Sequence, residues 1–219
     1  ASSQSYPSSM MGAFALLKQV YYDADWYSKG LSKTNDKSLE ALNKNKNLIQ
    51  IFEAKSKINS LRIDKIGDEF NIQYVLLGGG DEYERIEEIK ATDASYILPI
   101  NFPDAYDIED VYSANILQLS DMREWNQRPS NLSQFEENGI QFAITTEGLK
   151  SPNNLKTNIK KAIDHGLSKS KALEALTSIP AKLIGRDDVL GYLKKGYLAN
   201  FLITSGELFD DNTIFMNYS

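Results

Sequence analysis

The stretch Lys171–Gly206, KALEALTSIPAKLIGRDDVLGYLKKGYLANFLITSG, decides which fold this chain can have. Its first half carries apolar residues three or four positions apart, a spacing that places them on one face of a helix. These residues are Leu173, Leu176, Ile179 and Leu183. Because proline inside a helical pattern ends or kinks the helix, Pro180 predicts two short helices that meet near Ile179.

The second half of the stretch predicts turns followed by one strand. Gly185 is placed to end the second helix, since glycine is common just after a helix C-terminus. Asp187 and Asp188 lead to Gly191, and Gly196 follows Lys194-Lys195, which is typical of a tight polar turn. Leu198–Thr204 is almost continuously apolar, and the sequence predicts a strand there.

Residues 171–206 resemble the end of the metal-dependent amidohydrolases, and most closely their imidazolonepropionase-like branch. In that family a (β/α)8 barrel finishes with a helix pair, and a glycine-containing segment then leaves the barrel. The matching positions are Glu174-Ala175-Leu176, Thr177, Pro180-Ala181-Lys182-Leu183, Gly185, Gly191-Tyr192-Leu193, Gly196, Ala199-Asn200-Phe201-Leu202-Ile203 and Gly206. Asn200 departs from the family, which usually has aspartate there. None of these positions is catalytic in the family, so the resemblance implies fold and ancestry first.

Composition limits the classes of protein to which this chain can belong. The chain has 219 residues, 42% of them hydrophobic and 25% charged, which is ordinary for a globular domain. The formal charge of −6 predicts neither a nucleic-acid partner nor an anionic membrane as partner. The absence of cysteine excludes disulfides, thiolate zinc sites and a cysteine nucleophile. No apolar run is long enough for membrane insertion and no signal pattern is present, so the sequence leaves the compartment unknown.

Strands alternate with helices along the chain, which predicts an α/β fold. Four short apolar segments, each followed by a polar loop, are typical of strands buried on both faces of a parallel sheet. They are Leu48–Phe52, Ile72–Leu77, Ser95–Ile100 and Ile140–Ile144. An N-terminal helix from Met10 to Trp26, capped by serine, is predicted to turn Ala13, Leu16, Leu17, Val20 and Tyr21 toward the core.

Four barrel strands and one exit strand do not complete a barrel, which takes eight strands and about 250 residues. We therefore predict the C-terminal half of a TIM-type barrel over residues 1–188, with residues 189–219 forming the exit strand and tail toward a small β domain. The expected partners are the N-terminal half of the barrel or a second copy of the chain, because unpaired sheet edges need covering. A small-molecule substrate is expected if the segment is active.

The resemblance also implies where metal ligands would be. The family holds a divalent metal, typically zinc, with a His-x-His pair on the first strand, histidines after two middle strands and an aspartate after the last. Glu53 and Gly78 stand where the two middle histidines would be, and Glu147 stands in place of the aspartate. The first-strand pair would precede residue 1. We therefore expect no metal site and no cofactor in this chain, although Glu147 could still ligate a metal.

Glu53 and Glu147 are the candidate catalytic residues. Two carboxylates at strand ends can serve as an acid/base pair if burial separates their pKa values. The alternative is that Glu53 forms a salt bridge with Lys55 or Arg62. The lone histidine, His165, falls at the end of a predicted helix, where a structural role is expected.

Two further segments supply candidate substrate-binding residues. Gly78-Gly79-Gly80 before a helix could bind a phosphate through backbone N–H groups. The segment lacks both common phosphate-loop patterns, and Asp81 and Glu82 would repel the anion, so a plain turn is the favoured interpretation. The long loop after Ile100 is typical of a lid or binding element. Its candidates are Asp104, Asp107, Arg123, Trp125 and Arg128; alternatively, Trp125 only anchors the loop.

Two functions from different classes follow. The first is an amidohydrolase-type hydrolase acting on a carbon–nitrogen bond, such as a cyclic amide, with this segment supplying half of the barrel. The second is a catalytically inactive barrel-like domain retained for binding or scaffolding within a larger protein. The resemblance favours the first, and the missing histidines favour the second.

Overall fold

The computed structural model describes residues 6–210, 213 and 215–216. Within them the helices are α1 (Met10–Ser28), α2 (Lys37–Asn45), α3 (Lys57–Phe70), α4 (Ile86–Ala91), α5 (Val111–Ile116), α6 (Leu119–Gln127), α7 (Asn131–Glu137), α8 (Asn154–Asp164), α9 (Lys169–Leu176) and α10 (Ser178–Leu183). The strands are β1 (Gln50–Glu53), β2 (Tyr74–Leu77), β3 (Ser95–Pro99), β4 (Phe142–Thr145), β5 (Ile203–Thr204) and β6 (Phe215–Met216).

The first four strands form one parallel sheet in the order β1-β2-β3-β4. Each new strand is added on the same side of its predecessor, and helices occupy the connections. The predicted α/β fold with a parallel sheet is therefore confirmed, with strand bounds that differ from the prediction by one to two residues at an end. That the sheet belongs to a TIM-type barrel stays a prediction.

One face of the sheet is covered by aromatic packing. Leu76, Tyr96 and Phe142 lie side by side in register on β2, β3 and β4, and all three are fully buried. Phe135 of α7 packs edge-on against Tyr96 and Phe142, with ring centroids 5.1 and 5.8 Å apart. Edge-to-face rings at such distances add to the free energy gained from burial.

The opposite face packs against α10. Val75 and Ala143 on the sheet and Ile179 and Leu183 on α10 form a buried cluster, with Ile97 of β3 packed against it. The packing accounts for Ile179 and Leu183 of the apolar spacing, whereas Leu173 on α9 is 46% exposed and the buried residues of α9 are Ala172 and Ala175.

The outermost strand β1 is not buried on both faces as predicted. Its residues alternate between partly buried and exposed, and Ile51 is 53% exposed. Both β1 and β4 lie at an edge of this sheet, but α9 and α10 pack against β4, whereas the main packing partner of β1 among the described elements is β2.

The two predicted helices in the last third exist as α9 and α10, but they meet at Thr177 rather than near Ile179. Pro180 is the third residue of α10, where its missing N–H costs no helical hydrogen bond. Gly185 has φ +67° and follows the end of α10, as predicted. The exit strand is much shorter than expected: within Leu198–Thr204 only Ile203–Thr204 forms a strand, paired antiparallel with β6.

The chain divides into two compact units, one comprising the described residues up to Leu48 plus Lys65–Gln73, and the other Ile49–Asp64 plus the described residues from Tyr74 onward. The predicted boundary at residue 188 stays a prediction. Among the described residues, no helix has the length and apolar character needed to cross a bilayer.

In the first unit, α1 begins where predicted. The Ser9 side chain accepts a hydrogen bond from the Gly12 N–H at 3.1 Å. The predicted core-facing stripe is wrong for its N-terminal part, because Ala13 is exposed and Leu16 and Val20 are 38% and 36% exposed. Contacts of α1 within the unit, such as the stacking of Tyr21 on Phe70, concentrate in its second half.

Candidate functional site

Three charged side chains meet at the carboxyl edge of the sheet, and we call them the ion cluster: Glu53, Lys55 and Glu147. Glu53 is the last residue of β1, and Glu147 follows β4 by two residues. The Lys55 Nζ lies 2.5 Å from Glu53 Oε1 and 3.1 Å from Glu147 Oε1. The structure therefore brings both predicted catalytic carboxylates onto one ammonium group.

The ion cluster links the two outermost strands of the sheet. Strands in a sheet lie about 4.8 Å apart, so three spacings separate β1 from β4 by roughly 14 Å on a flat sheet. Only long side chains can cover that distance, and the Lys55–Glu147 contact spans the ends of β2 and β3. The alternative prediction of a Glu53–Lys55 salt bridge is confirmed. The contact with Glu147 joins residues far apart in the chain, and no local pattern signals it.

The ion cluster is half-exposed. The side chains of Lys55, Glu53 and Glu147 are 56%, 59% and 46% exposed. Hydrogen bonds to Glu53 and then to Glu147 raise the pKa of the Lys55 amine. Lys55 is therefore a cation at neutral pH, which suits electrostatic binding and excludes a role as an amine nucleophile there.

Lys55 has an unusual backbone conformation. Its φ of +55° lies in the left-handed region, which costs free energy in a residue other than glycine. Its N–H donates to the Leu77 carbonyl at 3.1 Å. A Cβ on Gly79 would clash with the Lys55 carbonyl oxygen and lie 2.6 Å from its carbonyl carbon. Glycine at position 79 therefore permits the close approach of the loops that follow β1 and β2.

The N–H groups of the glycine loop, residues 78–80, already have acceptors inside the protein. Gly78 donates to the Ile97 carbonyl at 2.9 Å. Gly79 and Gly80 donate to the two carboxylate oxygens of Glu82 at 2.6 and 3.0 Å. A phosphate could take these hydrogen bonds only by displacing Glu82, so the arrangement favours the plain-turn interpretation, and ligand binding by Gly78 and Gly79 stays a prediction.

Glu82 is fully buried. Its Oε2 also accepts a 2.9 Å hydrogen bond from the Asn131 side chain, whose carbonyl oxygen accepts the Tyr83 N–H at 2.8 Å. Burial raises the pKa of the Glu82 carboxyl, while the hydrogen bonds from Gly79 and Asn131 oppose that rise. By sequence alone Glu82 is a charge that would repel an anion from the glycine loop, whereas in the structure its carboxyl takes the place of that anion.

The segment after β3 is largely helical rather than one long loop. It contains α5 and α6, and the predicted binding residues Arg123 and Trp125 both lie on α6. Arg123 is exposed, whereas Trp125 is partly buried, with the Lys161 ammonium 5.7 Å from its ring centroid. The interpretation of Trp125 as an anchor fits this packing.

Asp104, Asp107 and Arg128 occupy three different settings. Asp104 forms an exposed ion pair with Lys150, which lowers the pKa of the aspartate. Asp107 accepts the N–H of Glu109 at 3.0 Å, a local turn contact. Arg128 donates to the Gly79 carbonyl at 2.6 Å and is therefore the one of the three that contacts the glycine loop.

Comparison with known proteins gives the family context. Residues 120–218 match the model of the amidohydrolase family. The fold is similar to that of an amidohydrolase from Thermotoga maritima MSB8, with a TM-score of 0.73 and 17% identity over 95% of this chain and 54% of that chain. It is also similar to a protein of uncharacterized function, with a TM-score of 0.53 and 14% identity over 79% of this chain and 41% of that one. No curated protein matches the chain.

These comparisons cover different parts of the molecule. The amidohydrolase match includes Glu147 and Arg128 but not Glu53, Lys55 or the glycine loop. The fold likeness extends over nearly all of the chain, which spans about half the length of the Thermotoga maritima protein.

The ion cluster does not fit the metal that the amidohydrolase resemblance implies. Structural and catalytic zinc sites use imidazole, thiolate and carboxylate ligands, and here two carboxylates already contact an ammonium group. Among the residues that the structure describes, no group of three or more His, Cys, Asp or Glu side chains is arranged to hold a metal ion. We therefore derive no chemistry through a metal at the ion cluster.

His165 has a structural setting at the end of α8. Its Nδ1 lies 2.7 Å from the Lys161 carbonyl oxygen, and its own carbonyl accepts the Ser133 hydroxyl at 2.9 Å. The predicted structural role of His165 fits both contacts.

Proposed function

We propose that this chain is part of an amidohydrolase-like (β/α)8 barrel of the imidazolonepropionase-like branch, and that it binds a small molecule at the ion cluster without metal-dependent hydrolysis. The observation that carries the proposal is the Lys55 ammonium, which contacts Glu53 and Glu147 at 2.5 and 3.1 Å. Support for the barrel comes from the sequential order of four parallel strands.

Binding is the role that these charges suit best. The three side chains remain half-exposed, so they can exchange solvent or internal contacts for contacts with a ligand. A small zwitterion, which carries one carboxylate and one ammonium group, would complement Lys55 and either glutamate. Such contacts at partly exposed groups are individually weak, so we expect modest affinity.

A second candidate is hydrolysis of a carbon–nitrogen bond, such as that of a cyclic amide. It is favoured by the match to the amidohydrolase family over residues 120–218, which includes Glu147. In this case the rest of the barrel, supplied by a longer chain or a partner segment, would have to provide the metal ligands.

Metal loading followed by activity measurement separates the two candidates. The protein is purified without chelator or metal affinity, incubated with zinc or manganese, desalted and analysed for metal, then assayed with a lactam and with N-acetylglycine. We expect far less than one metal ion per chain and no hydrolysis. Stoichiometric metal together with hydrolysis that Glu147→Gln abolishes would overturn the binding proposal in favour of the second candidate.

Ligand binding is measured by NMR titration with glycylglycine and N-acetylglycine. The Lys55 side-chain resonances should shift in the wild type, and Lys55→Gln should abolish the binding. Lys169→Gln is the matched control, because Lys169 is also a half-exposed lysine between two carboxylates, those of Glu207 and Asp210. Binding that survives Lys55→Gln, or no binding by the wild type, would contradict the proposal.

A further inference from the structure

We propose that Glu82 is the built-in ligand of an anion-binding glycine loop and that, through this loop, it positions Lys55 in the ion cluster. The inference rests on the proposed function only in that Lys55 is taken to be the ligand-binding group. Glu82 is thus a positioning residue, since it acts on the ion cluster through the backbone of Gly79.

The loop is shaped around a carboxylate. Two successive N–H groups, those of Gly79 and Gly80, point at separate oxygens of Glu82. The Asn131 amide adds a third donor at 2.9 Å. A Cβ on Gly78 would lie 2.5 Å from Glu82 Oε1 and 2.9 Å from the Leu98 side chain. Convergent backbone N–H groups around an anion form the kind of concave site that proteins use for phosphate and carboxylate ligands.

The peptide unit of Gly79 is held by hydrogen bonds at both its N–H and its carbonyl. Its N–H donates to the Glu82 carboxylate at 2.6 Å, and its carbonyl accepts the Arg128 guanidinium at 2.6 Å. Arg128 is itself held by Glu124 at 2.6 Å. The Arg128 guanidinium is ionised, and a hydrogen bond with one ionised partner is about twice as strong as a neutral one. Bonded at both its N–H and its carbonyl, the Gly79 peptide has little freedom to move.

Gly79 in turn determines where Lys55 can lie. The α-carbon of Gly79 packs against the Lys55 carbonyl so closely that a Cβ would clash with it. On the other side of Lys55, its N–H and that of Ala54 both donate to the Leu77 carbonyl. Lys55 thereby stays in its left-handed conformation, from which its side chain reaches Glu53 and Glu147.

Glu82 holds the glycine loop through its hydrogen bonds with Gly79, Gly80 and Asn131, so the loop does not need a cation paired with Glu82. Asp81, the neighbouring acid, accepts the Lys57 N–H at 2.8 Å and contacts the Lys57 ammonium at 3.3 Å, which ties the same two loops together a second time. Removal of the Glu82 carboxyl would leave the partly buried Gly79 N–H and the buried Gly80 N–H without that acceptor, and an external anion of the same shape could replace it.

The test uses Glu82→Ala, with Glu84→Gln as the control because Glu84 is a partly exposed acid in the same turn. The pKa of Lys55 is measured by side-chain NMR with and without sodium formate. In Glu82→Ala it should fall toward the ordinary lysine value, and formate should restore it and raise the melting temperature. The wild type and Glu84→Gln report the effect of formate on the ion cluster itself, and formate should raise the Lys55 pKa and the melting temperature of Glu82→Ala by more than it does in either of them.

A folded Glu82→Ala protein whose Lys55 keeps its raised pKa would overturn the inference. If Glu82→Ala does not fold, the wild type supplies the test, since the Gly79 and Gly80 amide resonances should shift with the same midpoint as the Glu82 carboxyl during a pH titration. Amides that stay unchanged through that titration would also overturn it. The Lys55 pKa and the Gly79 and Gly80 amide shifts are both measured without the small-molecule ligand. Failure of this inference can therefore be distinguished from failure of the proposed ligand binding.

Discussion

Gly79 is the residue at which the loops following β1 and β2 come closest, and we expect Gly79→Ala to be destabilising. The new Cβ would meet the Lys55 carbonyl, which is backbone and cannot rotate away. Overpacking of this kind typically costs about 1–3 kcal/mol, which corresponds to about 2–4 °C in melting temperature per kcal/mol for a chain of this size. Thermal denaturation measures the change. Gly206→Ala is the control, because its Cβ would make only an ordinary contact with Thr213.

The charge of Glu147 helps to raise the pKa of Lys55, so Glu147→Gln should lower that pKa toward the ordinary lysine value. Because folding raises the pKa of Lys55, the contacts of its ammonium group stabilise the folded state fully at pH values below the unfolded-state pKa of lysine. This stabilisation is lost as the pH rises through the folded-state pKa of Lys55. The variant should therefore lose less stability than the wild type in alkaline solution. Near neutral pH its melting temperature should hardly change, since half-exposed ion pairs contribute little. A large fall in melting temperature at neutral pH would show that Glu147 has a structural role instead.

At the scale of the element, α10 shows how position decides the effect of a proline. Pro180 lies in the first turn of α10, where N–H groups have no helical acceptor, so we expect Pro180→Ala to change stability by less than about 1 kcal/mol. Ala172→Pro in α9 should cost about 3 kcal/mol or more, because the buried Ala172 donates to the Ser168 carbonyl at 3.0 Å. Urea denaturation compares the two variants. Equal losses would contradict the placement of Pro180 in a first turn.

Elements with strong local signals were predictable from the sequence, and elements that depend on distant partners were not. The serine cap of α1, the apolar runs of β1 to β4 and the glycine after α10 each follow from local chemistry. The segment Leu198–Thr204 is apolar, yet only its last two residues pair with β6, because a strand needs a neighbour as well as a pattern. Its exposed Phe201 and Leu202 show that apolar sequence alone does not imply burial.

At the scale of the whole molecule, the strand-end positions expected for Glu53 and Glu147 agree with the structure, while their catalytic role stays a prediction. Strand ends locate Glu53 and Glu147 at one edge, because the carboxyl ends of parallel strands meet there. Lys55 contacts both glutamates, and Glu82 occupies the glycine loop. Both features depend on side chains that reach from one loop to another. Single-sequence patterns report periodicity along the chain and do not report such contacts.

The open edge of the sheet leads to the prediction that the chain, expressed alone, self-associates. No strand of the described residues extends this sheet beyond β1, and Ile49 and Ile51 are 50% and 53% exposed. Exposed strand edges with apolar side chains promote pairing with other chains, and a charge placed there opposes it. Light scattering across a concentration series should show the average mass rising with concentration, and Ile51→Lys should reduce that rise.

Lys65→Glu provides a control for Ile51→Lys, because it also changes charge on a surface residue but lies on α3 rather than on the sheet edge. It should leave association unchanged. A monomer at every concentration would contradict self-association and would favour the alternative partner, a segment that supplies the remaining barrel strands. In that case the Ile51→Lys substitution would instead be expected to weaken binding of that segment, because both partners would use the same open edge of β1.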